Sequence, residues 1–177
     1  NDLLVRKAKE SEIVLRLKGG DPFLFGRGGE EAEFLHREGI LYEVIPGVTS
    51  AISAPAYAGI PLTHRNVSSA VLIVTGHEAE EKGESFIDWK LLASFEGTIV
   101  FLMGMKNVKS IKDNLIREGK NPKTPTCVIQ WGTTPRQKVI TSNLKNLDEE
   151  VKKASLGPPA IIVMGEVVRL RDKIGWF

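Results

Sequence analysis

Repeatedly along this chain, a short aliphatic or β-branched run ends in a glycine-bearing turn, and helix-patterned segments lie between the runs. The runs are Ile13–Lys18 before Gly19-Gly20, Leu41–Ile45 before Pro46-Gly47, and Val71–Thr75 before Gly76. Ile99–Met103 before Gly104, Cys127–Trp131 before Gly132 and Ala160–Met164 before Gly165 follow the same form. Runs of this length with so few alternating polar residues suit strands covered on both faces. The segments between them carry helix punctuation: Gly29–Glu38 has acids in its first turn and a base near its end, then meets Gly39. Val108–Glu118 repeats apolar residues at helical spacing and stops at Gly119, Asp148–Ala154 is a shorter amphipathic piece, and Asp2–Glu10 reads as amphipathic helix. Strands alternating with helices predict βαβ units and a largely parallel sheet. Thr134–Thr141 follows its predecessor too closely for a helical crossover, so that strand is expected to be antiparallel and its sheet mixed.

A polar connector over residues 61–69, with neither helical nor strand period, separates two parts. The expected architecture is two α/β lobes, 1–65 and 66–177, one with a mostly parallel sheet that is incomplete here and one with a mixed sheet. A cleft between lobes is then the default ligand site. Length and charge bound the function: 177 residues bury a real core, and 24 bases against 22 acids leave +2. That balance offers no basic stripe for nucleic acid. Cys127, the lone cysteine, cannot build a disulfide framework, and no apolar run reaches membrane-spanning length. No basic-then-apolar leader opens the chain, and a cytoplasmic location is expected.

Chemistry concentrates in Leu17-Lys18-Gly19-Gly20-Asp21-Pro22-Phe23-Leu24-Phe25-Gly26-Arg27-Gly28-Gly29. Paired glycines at the carboxyl end of a strand let a ligand lie against bare main chain, and Asp21 is expected to present a carboxylate beside them. No Gly-Lys-Ser/Thr follows, and Gly26-Arg27-Gly28 meets Glu31 where a dinucleotide fingerprint needs glycine, so a phosphate site is unsupported. Thr49 and Ser50 sit at a strand-to-helix junction where hydroxyls and amides reach ligands, whereas Ala51, Ala54, Ala56 and Ala58 read as tight helix packing. Met103 and Met164 both precede a glycine and are expected at one end of successive strands, where parallel sheets bind ligands. Three histidines and one cysteine lack metal-ligand spacing, so no metal is expected; His36 reads as a solvated helix residue. His64, Arg65 and His77 lie in loops beside the expected cleft.

These motifs resemble the uroporphyrinogen-III C-methyltransferases within the tetrapyrrole methylase family. The resemblance is carried by Leu17–Glu31, Val44–Ala51, Ala58–Arg65, Val74–His77 and the closing Val167–Phe177. It implies an interlobe cleft holding S-adenosylmethionine, lined by Gly19, Gly20, Asp21, Leu24, Thr49, Ser50, Met103, Gly132 and backbone near Ala160. It also implies a homodimer, uroporphyrinogen III as substrate, and a precorrin-2 product made by two ring-carbon methylations on the way to sirohaem or cobalamin. Arg27, His64, Arg65, His77 and Lys106 are the cations expected to meet the substrate's eight carboxylates. Family members begin with a Gly-Ala-Gly-Pro-Gly-Asp-Pro-like loop and carry catalytic Asp and Lys candidates near it; nothing in this sequence corresponds. The catalytic residues are therefore unassigned, and turnover by this chain alone is not expected. Two rival expectations keep the fold but methylate RNA or a protein side chain, or bind cofactor without catalysis.

Overall fold

The structure, a computed structural model, describes residues 1–76 and 87–177 and divides the chain into two compact units, Asn1–Thr49 and Ser50–Phe177. The connector expected to separate lobes at 65/66 lies inside the second unit. Helix α3 (Ser50–Tyr57), which precedes that connector, already packs on the second unit's sheet.

That sheet has five strands in the order β1-β2-β5-β3-β4: β1 (Val71–Thr75), β2 (Thr98–Leu102), β3 (Pro125–Gln130), β4 (Lys138–Asn143) and β5 (Ala160–Met164). Among the described residues only β1 and β2 are parallel; β5 runs antiparallel to both of its neighbours, and β4 antiparallel to β3 as its short connection required. β2 is buried at every position, and β3 and β5 at all but one, so no polar alternation survives in their sequences. Period 2 still sorts their side chains. Ile99, Phe101, Val128, Ile162 and Met164 meet Leu92 of α4 (Trp89–Ser94), Ile111 and Leu115 of α5 (Val108–Arg117), and Leu147 and Val151 of α6 (Leu147–Lys153). Residues between them in register fall outside that cluster, and α3 packs on β2 and β5. The edge strand β4 carries Lys138, Thr141, Ser142 and Asn143, which suit a strand with one open side. The chain closes with α7 (Arg171–Ile174), whose Arg171 guanidinium donates to Ala58 O while Trp176 Nε1 donates to Ala56 O, satisfying carbonyls at the end of α3.

Antiparallel β5 corrects one expectation. Met103 follows the carboxyl end of β2, but Met164 pairs opposite Ile99 near the start of β2, so the two methionines lie at opposite ends of the sheet. Met164 is fully buried core. Cys127 is buried too, and burial pushes its thiol up to about 12, so it stays a protonated core residue.

The first unit holds α1 (Asp2–Glu10) and α2 (Gly28–Arg37), with α2 stopping where Gly39 takes φ +69°. The strands expected over 13–18 and 41–45 are absent: neither stretch makes a ladder hydrogen bond. Their composition is strand-like, but a strand exists only through its partner's backbone, and none is placed beside either segment among the described residues. Val14, Leu15, Leu41, Val44 and Ile45 instead border a cavity of about 490 Å3 with Leu4 of α1 and Leu35 of α2.

Burial makes the second unit the stable part of the fold. Leu115→Ala, at a fully buried α5 position, is expected to cost about 2–5 kcal/mol, read as a lowered urea midpoint with an unchanged slope.

Candidate functional site

The glycine-rich loop of the first unit begins after Lys18, and its shape follows from one carboxylate. Asp21 Oδ1 accepts from Phe23 N at 2.8 Å and Leu24 N at 3.0 Å, closing a tight Asx turn. Asp21 Oδ2 accepts from Gly47 N at 3.0 Å, which joins this loop to the segment that follows residues 41–45. The joint is main chain against main chain: a Cβ on Gly47 would overlap Gly20 O, and Gly20, at φ +91°, has Val48 O and Thr49 Cα within 4 Å of its own Cβ position. Asp21 was expected to offer a free carboxylate to a ligand; in the structure both oxygens are already used by backbone N–H groups. Those bonds, Gly47's first among them, hold its carboxyl below the ordinary 3.8.

The same loop brings Gly19, Gly20, Asp21, Leu24 and Thr49 together. Gly19 is exposed, and a Cβ built on it would meet nothing within 4 Å, so a strip of bare main chain faces open space. Lys18 braces the loop from behind: its half-buried ammonium donates to Gly26 O and lies 2.7 Å from Glu31 Oε2, while Arg16 Nε lies 3.2 Å from Glu31 Oε1. The Lys18 hydrogen bond is the first of the effects that hold the Glu31 carboxyl below its usual range. Arg27 stands exposed at the mouth of α2, its guanidinium 2.6 Å from Glu30. That pair raises Arg27 and lowers Glu30.

The remaining candidates belong to the second unit, and the antiparallel β5 gathers several of them. Because β5 opposes both β2 and β3, its start lies beside their carboxyl ends: Ala160 pairs with Gln130, and Ile162 with Phe101. Met103, Gly132 and Ala160 therefore share one end of the sheet. Met103 is half exposed in left-handed backbone at φ +57°. Gly132 is glycine for a packing reason, since a Cβ there would lie 2.5 Å from Ala54 Cβ on α3. Ser50 opens that helix.

Lys106 lies exposed in the turn after Met103. His64 serves a turn in which its N–H donates to Ser68 O at 2.9 Å and its ring Nδ1 accepts from Asn66 N at 3.4 Å. Arg65 beside it is exposed. His77 lies outside the described residues. Two contacts at this sheet end had no signal in sequence spacing: Asn107 Nδ2 donates to Gly76 O at 2.8 Å, and the Arg136 guanidinium sits 4.0 Å over the Trp131 ring. The first joins residues 31 apart in sequence, and the second is made within one loop. No cluster of metal-ligating side chains occurs among the described residues, and no helix among them is long and apolar enough to cross a membrane.

This fold, with its glycine loop clasped by an aspartate, matches a family model described as tetrapyrrole (corrin/porphyrin) methylases over residues 1–148. The chain belongs to that family. Within it, the sequence is 52% identical over 175 residues to an S-adenosyl-L-methionine-dependent uroporphyrinogen III methyltransferase of Methanosarcina barkeri, covering 99% of this chain and 69% of the relative. It is 49% identical to a siroheme synthase of Nitrosospira multiformis, covering all of this chain and 37% of that protein. Among solved structures, the uroporphyrin-III C-methyl transferase of Thermus thermophilus complexed with S-adenyl homocysteine superposes with a TM-score of 0.82 at 39% identity, over 96% of this chain and 73% of its own.

Asp21 is expected to act as a clasp. Asp21→Asn removes the charge that Gly47, Phe23 and Leu24 converge on, and S-adenosylhomocysteine affinity measured by calorimetry is expected to fall about tenfold, a factor worth one decade of binding constant. A depressed carboxyl contributes stability that is present above its unfolded value and lost as pH falls through the folded one. The parent is therefore expected to lose a step of thermal stability below pH 3.8 that Asp21→Asn lacks.

Proposed function

We propose that the protein is an S-adenosylmethionine-dependent C-methyltransferase that converts uroporphyrinogen III to precorrin-2 by two successive ring-carbon methylations. The observation that carries this reading is the exposed main chain at Gly19-Gly20, braced by Asp21 and Lys18, in a chain about half identical to proteins named for that activity. The donor set suits this cofactor. S-adenosylmethionine has no phosphate, so backbone polar groups and glycine clearance serve where a phosphate loop would need a lysine aimed at the ligand; here Lys18 is committed to Gly26 O and Glu31. The residues assigned to the cofactor are Gly19, Gly20, Asp21, Leu24 and Thr49 in the first unit, and Ser50, Met103, Gly132 and Ala160 in the second. Asp21 acts through the backbone it holds.

When bound, the cofactor supplies a methyl carbon on a sulfonium: the pyrrole carbon's electron pair forms the new C–C bond while the C–S pair returns to sulfur. This chain's residues bind and orient. Ideal positioning of two reactants is worth up to about 7–11 kcal/mol, and a site built of main chain loses little freedom in providing it. Arg27, Arg65, His64, Lys106 and His77 are assigned to the substrate's carboxylates. Arg27 is exposed and already matched in geometry to a carboxylate, that of Glu30, so a substrate carboxylate competes with Glu30 for it and leaves Glu30 to solvent. A cytoplasmic homodimer whose product feeds sirohaem or cobalamin synthesis completes the reading; the siroheme synthase relative supports the first branch.

Calorimetry separates this reading from its rivals. The chain is expected to bind S-adenosylhomocysteine and uroporphyrin III but not RNA; RNA binding without uroporphyrin binding overturns it. Gly19→Ala is expected to melt as the parent does, since its Cβ meets no atom, while weakening S-adenosylhomocysteine about tenfold, or one decade of binding constant.

A further inference from the structure

The loop from Asp21 to Gly28 is held shut more firmly than a surface turn requires. Asp21 Oδ1 takes two of its N–H groups, Gly28 N donates to Pro22 O at 2.8 Å, and Lys18 donates to Gly26 O. The chain folds back so closely that a Cβ on Gly26 would stand 2.6 Å from Pro22 O, and one on Gly28 2.5 Å from the same atom. Between and beside these two glycines sit Phe25 and Arg27, both in left-handed backbone at φ +54° and +56°.

Left-handed backbone is where glycine fits without cost and a side chain pays through its Cβ against the following carbonyl. At position 27 an exposed guanidinium still has a carboxylate partner in Glu30. Position 25 has no such return: Phe25 remains 43% exposed, joins no aromatic pair among the described residues and lies outside the hydrophobic cluster of the second unit. A large apolar side chain thus occupies strained backbone on a rigid loop while burying only part of itself. Fold stability alone selects glycine there. A side chain retained against that preference on an over-determined loop is what a ligand contact requires.

We propose that Phe25 is a specificity-determining residue that packs against the apolar ring face of the tetrapyrrole, next to the Arg27 guanidinium that meets one of its peripheral carboxylates. This rests on uroporphyrinogen III being the substrate. The chemistry matches in kind: a macrocycle with carboxylates at its edge presents π-electron faces and anionic rims, and the loop offers an aromatic ring and a cation two residues apart. Neither group belongs to the cofactor strip at Gly19-Gly20, so cofactor and substrate affinities separate.

The test compares the parent chain with Phe25→Gly and Phe25→Tyr, reading uroporphyrin III binding from its Soret absorbance, S-adenosylhomocysteine binding by calorimetry, and the melting temperature. Phe25→Gly is expected to melt no lower than the parent, because release from left-handed strain at least offsets the entropy that glycine adds to the unfolded chain. Its S-adenosylhomocysteine affinity is expected within about twofold of the parent and its uroporphyrin affinity about tenfold weaker, the scale of one lost aromatic contact. Phe25→Tyr restores binding. Uroporphyrin affinity within about twofold of the parent in Phe25→Gly, on that same scale, overturns the proposal. So does a melting temperature that falls together with S-adenosylhomocysteine affinity, which makes Phe25 a packing residue. Failure of the parent itself to bind uroporphyrin III overturns the substrate reading instead, and the proposal with it.

Discussion

Three strands with almost no exposed position, β2, β5 and β3, govern the second unit. Covering both faces of a sheet demands a layer on each: α4, α5 and α6 fill one side, and α3 packs on β2 and β5. The reversal of β5 between two strands of like direction then decides which loops share an end. It sets Met103 and Gly132 beside Ala160 and sends Met164 to the opposite end, into the core. Gly132 shows how closely the helical layer presses on that end, for the space beside it belongs to Ala54.

The first unit is organised by different physics. Its apolar segments 13–18 and 41–45 carry no ladder, and Ile13 and Leu41 are 85% and 98% exposed. Order there comes from charge-assisted hydrogen bonds and from glycine clearance. Asp21 spends both carboxylate oxygens on backbone N–H groups of two loops, and Lys18 ties the first of those loops to α2 through Glu31. Such bonds are directional, so they set positions tightly even where little surface is buried. A strip of exposed main chain is kept in shape there by a carboxylate.

Much of this was legible in the residues. The helices α1, α2, α5 and α6 follow from amphipathic spacing and glycine stops, and every strand of the second unit from a β-branched or aliphatic run, although β4 begins four residues later than its pattern does. The glycine loop was visible as a place where main chain could be left bare, because paired glycines carry no Cβ. The role of Asp21 was not visible, since its partner Gly47 is 26 residues away and a carboxylate looks the same whether it faces ligand or backbone. Asn107 was missed for the same reason, since its partner Gly76 is 31 residues away.

Local sequence determined where the chain could be helical, where it could be extended, and where main chain could be left bare, because propensity, capping and Cβ clearance are properties of a few adjacent residues. Tertiary structure alone decided that β5 runs against its neighbours, that Ile13–Lys18 and Leu41–Ile45 remain without a ladder, and that Asp21 faces inward to Gly47. Strand direction, ladder pairing and the choice of hydrogen-bond partner depend on which distant segment arrives alongside, and no window of neighbouring residues contains that information.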